Sequence, residues 1–191
     1  MIIKLDSKFR FKCIRCGKCC STGPNVALTV YDVVRISKHL GVKPSVALKI
    51  YTKVIIADYI PFIALAGDGL GKCVFLGYDK EGKPYCKIYR ARPLRCRLYP
   101  AIPVSPSKNT IEVTSNCPGV GGGAITSVPL RLVKHYFWEV KMHYKELVKL
   151  VLDEGYSPLE ALELLVEKTY EEALGNALWC NLEYIDSLGA T

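Results

Sequence analysis

The stretch Phe11-Lys12-Cys13-Ile14-Arg15-Cys16-Gly17-Lys18-Cys19-Cys20 places four cysteines within eight residues, spaced C-x2-C-x2-C-C. Thiolates are preferred ligands for zinc and for the iron of iron–sulfur clusters. A C-x2-C step lets two sulfurs reach one ion across a tight turn, and Gly17 permits the close backbone approach such a turn needs. Neighbouring side chains diverge, so Cys19 and Cys20 are expected to serve different sites, or different irons of one assembly. A segment of this kind is organised by ligands on loops rather than by a regular element. It predicts a small α+β domain of short strands and long loops around a metal centre.

Working outward, Cys73, Cys86, Cys96 and Cys117 bring the set to eight, enough for two sites of four thiolates. One partition puts Cys13, Cys16, Cys19 and Cys117 in one site and Cys20, Cys73, Cys86 and Cys96 in the other. Cys180 is left over and reads as a small buried apolar side chain. A C-x2-C-x2-C run completed by a distant Cys-Pro is the arrangement of bacterial ferredoxins, so the spacing points to one or two iron–sulfur clusters, of the 4Fe–4S kind. Zinc is the alternative, although structural zinc sites more often pair two C-x2-C knuckles. His39, His135 and His143 lie far from the cysteines in sequence and fit no Cys/His zinc pattern.

The compartment argument favours ligation over disulfides. Met1–Arg10 contains no signal-peptide core, and no run of about 18 uncharged apolar residues follows, so a cytoplasmic protein without a membrane span is expected. Nine cysteines there are more naturally ligands than disulfides. The chain has no glutamine and only two methionines, a depletion that points to a thermophile. Charge is unevenly spread. Residues 1–120 hold 20 basic and 7 acidic side chains, a balance of +13, and residues 121–191 hold 6 and 11, a balance of −5. The basic excess compensates metal–thiolate charge, or alternatively meets RNA or another anionic partner.

Thr29 and Asp32 form a capping-box pattern that opens a helix ending at Gly41, and Pro44 suits the first position of a second helix. Ser21–Asn25 reads as a turn. Tyr59–Leu65 reads as a strand, and Pro61 within it predicts an edge position. A glycine-rich turn follows at Gly67–Lys72. A strand is expected from Cys73, returning through a hairpin tip at Asp79–Gly82 to Tyr85-Cys86. Ile102–Val104 and Ile111–Thr114 read as a second hairpin leading to Cys117. After Gly123 the pattern turns helical: Leu130–Glu154, then a capping box at Ser157-Pro158-Leu159-Glu160 opening a helix to Leu174, then a last helix over Ala177–Ser187. The expected organisation is a cysteine-cluster domain over residues 1–123 with a helical segment, 124–191, packed on it.

Taken together, Phe11-Lys12-Cys13-x2-Cys16-Gly17-Lys18-Cys19-Cys20, Leu28-Thr29 with Asp32, Cys73-Val74-Phe75-Leu76, Cys86-x-Ile88-Tyr89-x2-Arg92-Pro93-x2-Cys96-Arg97-x-Tyr99-Pro100 and Cys117 resemble the YkgJ-type cysteine-cluster (CxxCxxCC) family over residues 9–120. The resemblance implies a zinc- or iron-chelating domain with all eight cysteines as ligands. It also implies iron–sulfur oxidoreductase chemistry, a label often given to members, and a methyl-transfer setting, since a similar domain occurs in flagellin lysine methylases. Arg90, Arg92, Arg95 and Arg97 surround Cys96 and are candidates either to offset cluster charge or to hold an anionic substrate beside it. The functional expectation is electron transfer or redox-assisted modification with a partner enzyme or redox protein. The alternative is a zinc-stapled module that contacts RNA or protein. No nucleophilic triad, carboxylate pair or phosphate loop is legible.

Overall fold

The computed structural model describes residues 1–22 and 26–189, and its fold is α+β. Two short strands, β1 (Ile2–Lys4) and β2 (Lys8–Phe11), lead into the cysteine loop, which closes on the single helical turn α1 (Lys18–Ser21). The turn expected over Ser21–Asn25 lies partly outside the described residues, which omit 23–25. Then follow β3 (Ala27–Leu28), α2 (Val30–Leu40), α3 (Pro44–Tyr51), β4 (Thr52–Ala57) and β5 (Ile60–Leu65). The α2 cap is the predicted box: the Thr29 hydroxyl accepts from Asp32 N–H, the Asp32 carboxylate accepts from Thr29 N–H, and Gly41 ends the helix at φ 66°. Such a residue-41 conformation is open to glycine without steric cost.

The strand holding Pro61 is central, not an edge: the sheet order is β3-β5-β4. Proline is tolerated because β3 pairs only with Ala64 and Ile63, so at Pro61 the side facing β3 carries no ladder for its missing N–H to break. The strand expected from Cys73 begins later. Cys73 makes an isolated bridge to Gly67, a turn closed by Leu76 N–H to Cys73 C=O follows, and only then does β6 (Leu76–Tyr78) pair with β7 (Pro84–Cys86). Asp79 builds the hairpin tip by accepting from Glu81 N–H and Lys83 N–H.

A 3-10 turn at Tyr89–Ala91 and α4 (Leu94–Leu98) carry the arginine-rich stretch, and β8 (Ala101–Pro103) and β9 (Thr110–Val113) form the second hairpin, with β1 added on the far side of β9. Next, β10 (Val120–Ser127) pairs with β2, and between Val120 and Ile125 its register jumps in a bulge. The glycine run explains the bulge. A Cβ on Gly119 would overlap the Lys12 carbonyl, and one on Gly123 would lie 2.5 Å from Lys12 Cβ. Only a chain stripped of side chains can cross so close to the strand that feeds the cysteine loop.

The helices α5 (Leu130–Val148), which ends in a π-helical turn over Lys149–Asp153, and α6 (Pro158–Leu174) follow the predicted pattern. The last predicted helix is split: a 3-10 turn at Leu178–Cys180, then α7 (Leu182–Leu188), capped by the Asn181 carbonyl accepting from Glu183 and Tyr184 N–H. Cys180 therefore precedes the helix it was expected to sit within. Two apolar clusters hold the layers together. One joins α2, α3 and β5 to α6; the other joins α4, β8 and β9 to α5 and α7. No helix among the described residues is long and apolar enough to cross a membrane.

Candidate metal centre

The cysteines are presented by a loop, a single helical turn, a bridge residue, a strand end and a short helix. Cys13 and Cys16 lie on the loop after β2 and are exposed, and Cys19 and Cys20 sit side by side in α1. Gly17 opens that turn at φ 69°, and a Cβ there would lie 2.7 Å from Pro84 Cβ, so the knuckle rests directly against β7, which ends in Cys86. Cys73 N–H donates to Cys20 C=O at 2.7 Å, tying the bridge residue to the knuckle. Cys96 rides on α4, and Cys117 lies just before β10. All nine cysteines are free thiols.

Electrostatics show which thiols share space. Cys19 and Cys20 have sulfurs 3.8 Å apart, and the hydrogen bond from the Cys20 side brings the Cys19 thiol down to about 7 while the Cys20 thiol is driven far up. Burial raises Cys96, and negative charge on Asp32, Cys73, Cys86 and Cys19 raises it further. Burial also raises Cys73 and Cys86, with Cys86 and Cys19 adding to the first and Cys19 to the second. Cys20, Cys73, Cys86 and Cys96 are thus each raised by burial and by charge on neighbouring thiols, with Cys19 felt at all four. Tyr99 marks a second group. Its phenol is pushed up to about 12 by burial, then by the charge of Cys117 and Cys19, by a hydrogen bond with Cys117, and by Cys16. Among the described residues, no three Cys, His, Asp or Glu side chains converge in closed metal-binding geometry. The thiols are gathered but not clenched, and mutual repulsion of this kind is what a bound cation reverses.

The four arginines are mostly occupied by protein. Arg92 lies over the Tyr89 ring at 4.0 Å and donates to Tyr89 C=O, and its charge favours the thiolate of Cys86. Arg95 donates to Tyr136 Oη at 3.1 Å. Arg97 bonds Arg90 C=O, Arg92 C=O and the Asp186 carboxylate, so it clamps α4 to α7. Arg90 is exposed and enters these contacts only through its backbone.

Behind this scaffold the capping pair Thr29 and Asp32 joins Arg35 and Glu139, two residues that sequence reading did not single out. Arg35 is fully buried and donates to Asp32 Oδ1 at 2.6 Å, to Glu139 Oε1 at 2.5 Å and Oε2 at 2.9 Å, and to Trp179 C=O at 3.0 Å. Thr29 Oγ1 donates to Glu139 Oε2, and His135 Nε2 lies 3.1 Å from Glu139 Oε1. Burial works against the Glu139 charge, but Arg35 and His135 hold its carboxyl below the usual range. Asp32 Oδ1 also accepts from Leu94 N–H at 3.1 Å, the first residue of α4 and two before Cys96. The signal in sequence was charge inside an apolar run: Val30–Ser37 is buried throughout, Asp32 and Arg35 included.

Cysteines carried on one loop and turn, on the bridge residue Cys73, at the end of β7, on α4 and just before β10 give the chain the build of a cysteine-cluster protein. The comparisons say which. Residues 12–118 match the family described as "CxxCxxCC: Putative zinc- or iron-chelating domain", and the chain belongs to that family. An uncharacterized protein of Methanocaldococcus jannaschii is 39% identical over 90 residues, covering 47% of this chain and 44% of that relative. The chain thus matches less than half of that relative's length. No solved structure matches.

Proposed function

We propose that this chain is an iron–sulfur protein that passes electrons to or from a partner protein. The observation that carries the reading is the set Cys20, Cys73, Cys86 and Cys96, all raised by burial and by neighbouring thiolate charge, with Cys19 3.8 Å from Cys20. Such a donor set fits a thiolate-bound cation, and the C-x2-C-x2-C spacing completed by Cys117-Pro118 favours iron–sulfur over zinc. Cys20, Cys73, Cys86 and Cys96 would hold one 4Fe–4S cluster and Cys13, Cys16, Cys19 and Cys117 the other. When bound, a cluster supplies one-electron transfer. The protein's part is to bind and tune it: Arg92 offsets charge at Cys86, while Asp32 and Arg97 fix α4 and hence Cys96. Exposed Cys13 and Cys16, with Ile14 between them at 57% exposure, leave one edge open for an electron partner.

Anaerobic purification tests the assignment. A brown protein carrying iron and acid-labile sulfide is expected; a colourless one with stoichiometric zinc overturns it and favours the stapled binding module. Cys20→Ala and Cys117→Ala should each remove about half of the iron, the share expected when two sites of equal size are independent. If either removes it all, the partition fails.

A further inference from the structure

Between α2, α5 and α6, with Trp179 beside them, the structure holds a cup of about 270 Å³. Tyr31, Trp138 and Trp179 form its walls, with Met142 beside them and Glu146 and Glu172 among its lining residues. The rings do not stack flat. Tyr31 meets Trp179 edge-on at 4.8 Å and 78°, and meets Trp138 at 5.5 Å and 38°. Tyr31 thus lies against both indoles at different inclinations, and Trp138, which also stacks on His135 and is 42% exposed, is the open wall of the cup.

A ring face is negative and its edge positive, so a cup of faces attracts cations, and the attraction grows as water is excluded. The two carboxylates add to this. Tyr31 reports the field: burial raises its phenol to about 12, and the charges of Glu139, Glu172 and Glu146 raise it too, against Arg35. The only cation in the lining is Lys168, whose Nζ stands 3.8 Å from Glu146 and whose side chain is 60% exposed. A primary ammonium is compact and strongly hydrated, and here it stays in water beside the cup. An alkylated ammonium, weakly hydrated and apolar at its surface, loses less on entering aromatic walls and a thioether. The volume suits a single trimethylammonium-sized head and falls below the range of about 300–1,000 Å³ usual for drug-sized ligands.

We propose that this cup is a binding site for a quaternary ammonium group. None of the eight candidate ligand cysteines lines the cup, and the proposal does not depend on which metal they bind.

The chain contains two tryptophans, and both line the cup, so its intrinsic emission reports this site. The experiment titrates the protein as purified, metal included, with tetramethylammonium and choline against sodium chloride at matched ionic strength. Calorimetry runs in parallel, and 3,3-dimethylbutan-1-ol serves as the neutral isostere of choline. A saturable change is expected for both cations, with the isostere binding weaker by about tenfold or more. Trp138→Ala and the double variant Glu146→Gln/Glu172→Gln should each weaken tetramethylammonium binding by about tenfold, with the thermal transition unchanged. These positions are partly or wholly exposed, so either variant is expected to fold, and each tests the site alone. No saturable signal beyond sodium chloride overturns the proposal. So does equal binding of the neutral isostere, or unweakened binding by the two variants.

Discussion

Around Arg35 the helices set a buried cation against two carboxylates, whereas Cys96 is raised by burial and by the negative charge of other thiols around it. The first region is electrostatically complete as a polypeptide. Its guanidinium faces two carboxylates and a carbonyl, presented by α2, α5 and the 3-10 turn before α7. The second becomes complete only with something the chain does not encode. Stability and function are thus placed in different materials within one small protein: paired side chains behind, sulfur and a bound ion in front.

Removing the metal should separate the two regions most strongly. Apparent binding free energies of four-thiolate sites are on the order of 10 kcal/mol, and that energy is folding energy for the loops it ties together. Chelation of the metal-loaded protein should strip hydrogen-exchange protection from the segments around residues 11–20 and 73–98 while the amides of α5 and α6 keep theirs. Uniform loss across both regions would erase the distinction.

Arg35→Met attacks the other side. It leaves the Asp32 and Glu139 carboxylates buried and facing each other, a change expected to cost about 3–5 kcal/mol in denaturant unfolding. A smaller pH-dependent effect comes from His143, which is buried with both ring nitrogens unpartnered and is held down to about 4 by burial. Its folded pKa lies below the unfolded value of about 6.5, so the unfolded chain takes up the proton first. Stability should therefore be unaffected by this group above about pH 6.5 and fall by about 3 kcal/mol as pH drops to about 4. His143→Phe should flatten that part of the profile, measured as the difference between the two proteins. The smallest expected effect is at the glycine crossing. Gly123→Ala places a side chain at φ 75° against Lys12, at a cost of about 1–2 kcal/mol, read from a shifted unfolding midpoint together with a loosened cysteine loop.

What was legible in sequence was whatever chemistry acts over three or four residues. The capping boxes at Thr29 and Ser157, proline at positions 44 and 158, and the turn tips at Asp68 and Asp79 all bond to their own neighbours. The cysteine family was legible too, because its spacing is itself the ligand geometry. Pairings across long stretches of chain were not. Strands β1 and β2 are three and four residues long, too short for alternation to show, and β10 is interrupted by its own glycines. Arg35 meets Glu139 across 104 residues, and Tyr31 meets Trp138 and Trp179 only once α2 and α5 have packed. Pro61 misled because a general bar on proline in central strands assumes neighbours of full length, and β3 is only two residues long.

Asp32 lies close enough to Cys96 for its charge to be felt there, and an aspartate so placed invites assignment as an oxygen ligand. A carboxylate offers about four lone-pair positions. Here Oδ1 accepts from Arg35 and Leu94, and Oδ2 accepts from the Thr29 amide, while the one Thr29 hydroxyl proton goes to Glu139. Most of the accepting capacity of that side chain is committed to holding α2 and α4. Loss of metal in an Asp32 variant would therefore report a shifted α4, and counting such a loss as evidence of ligation would misidentify a hinge pin as part of the lock.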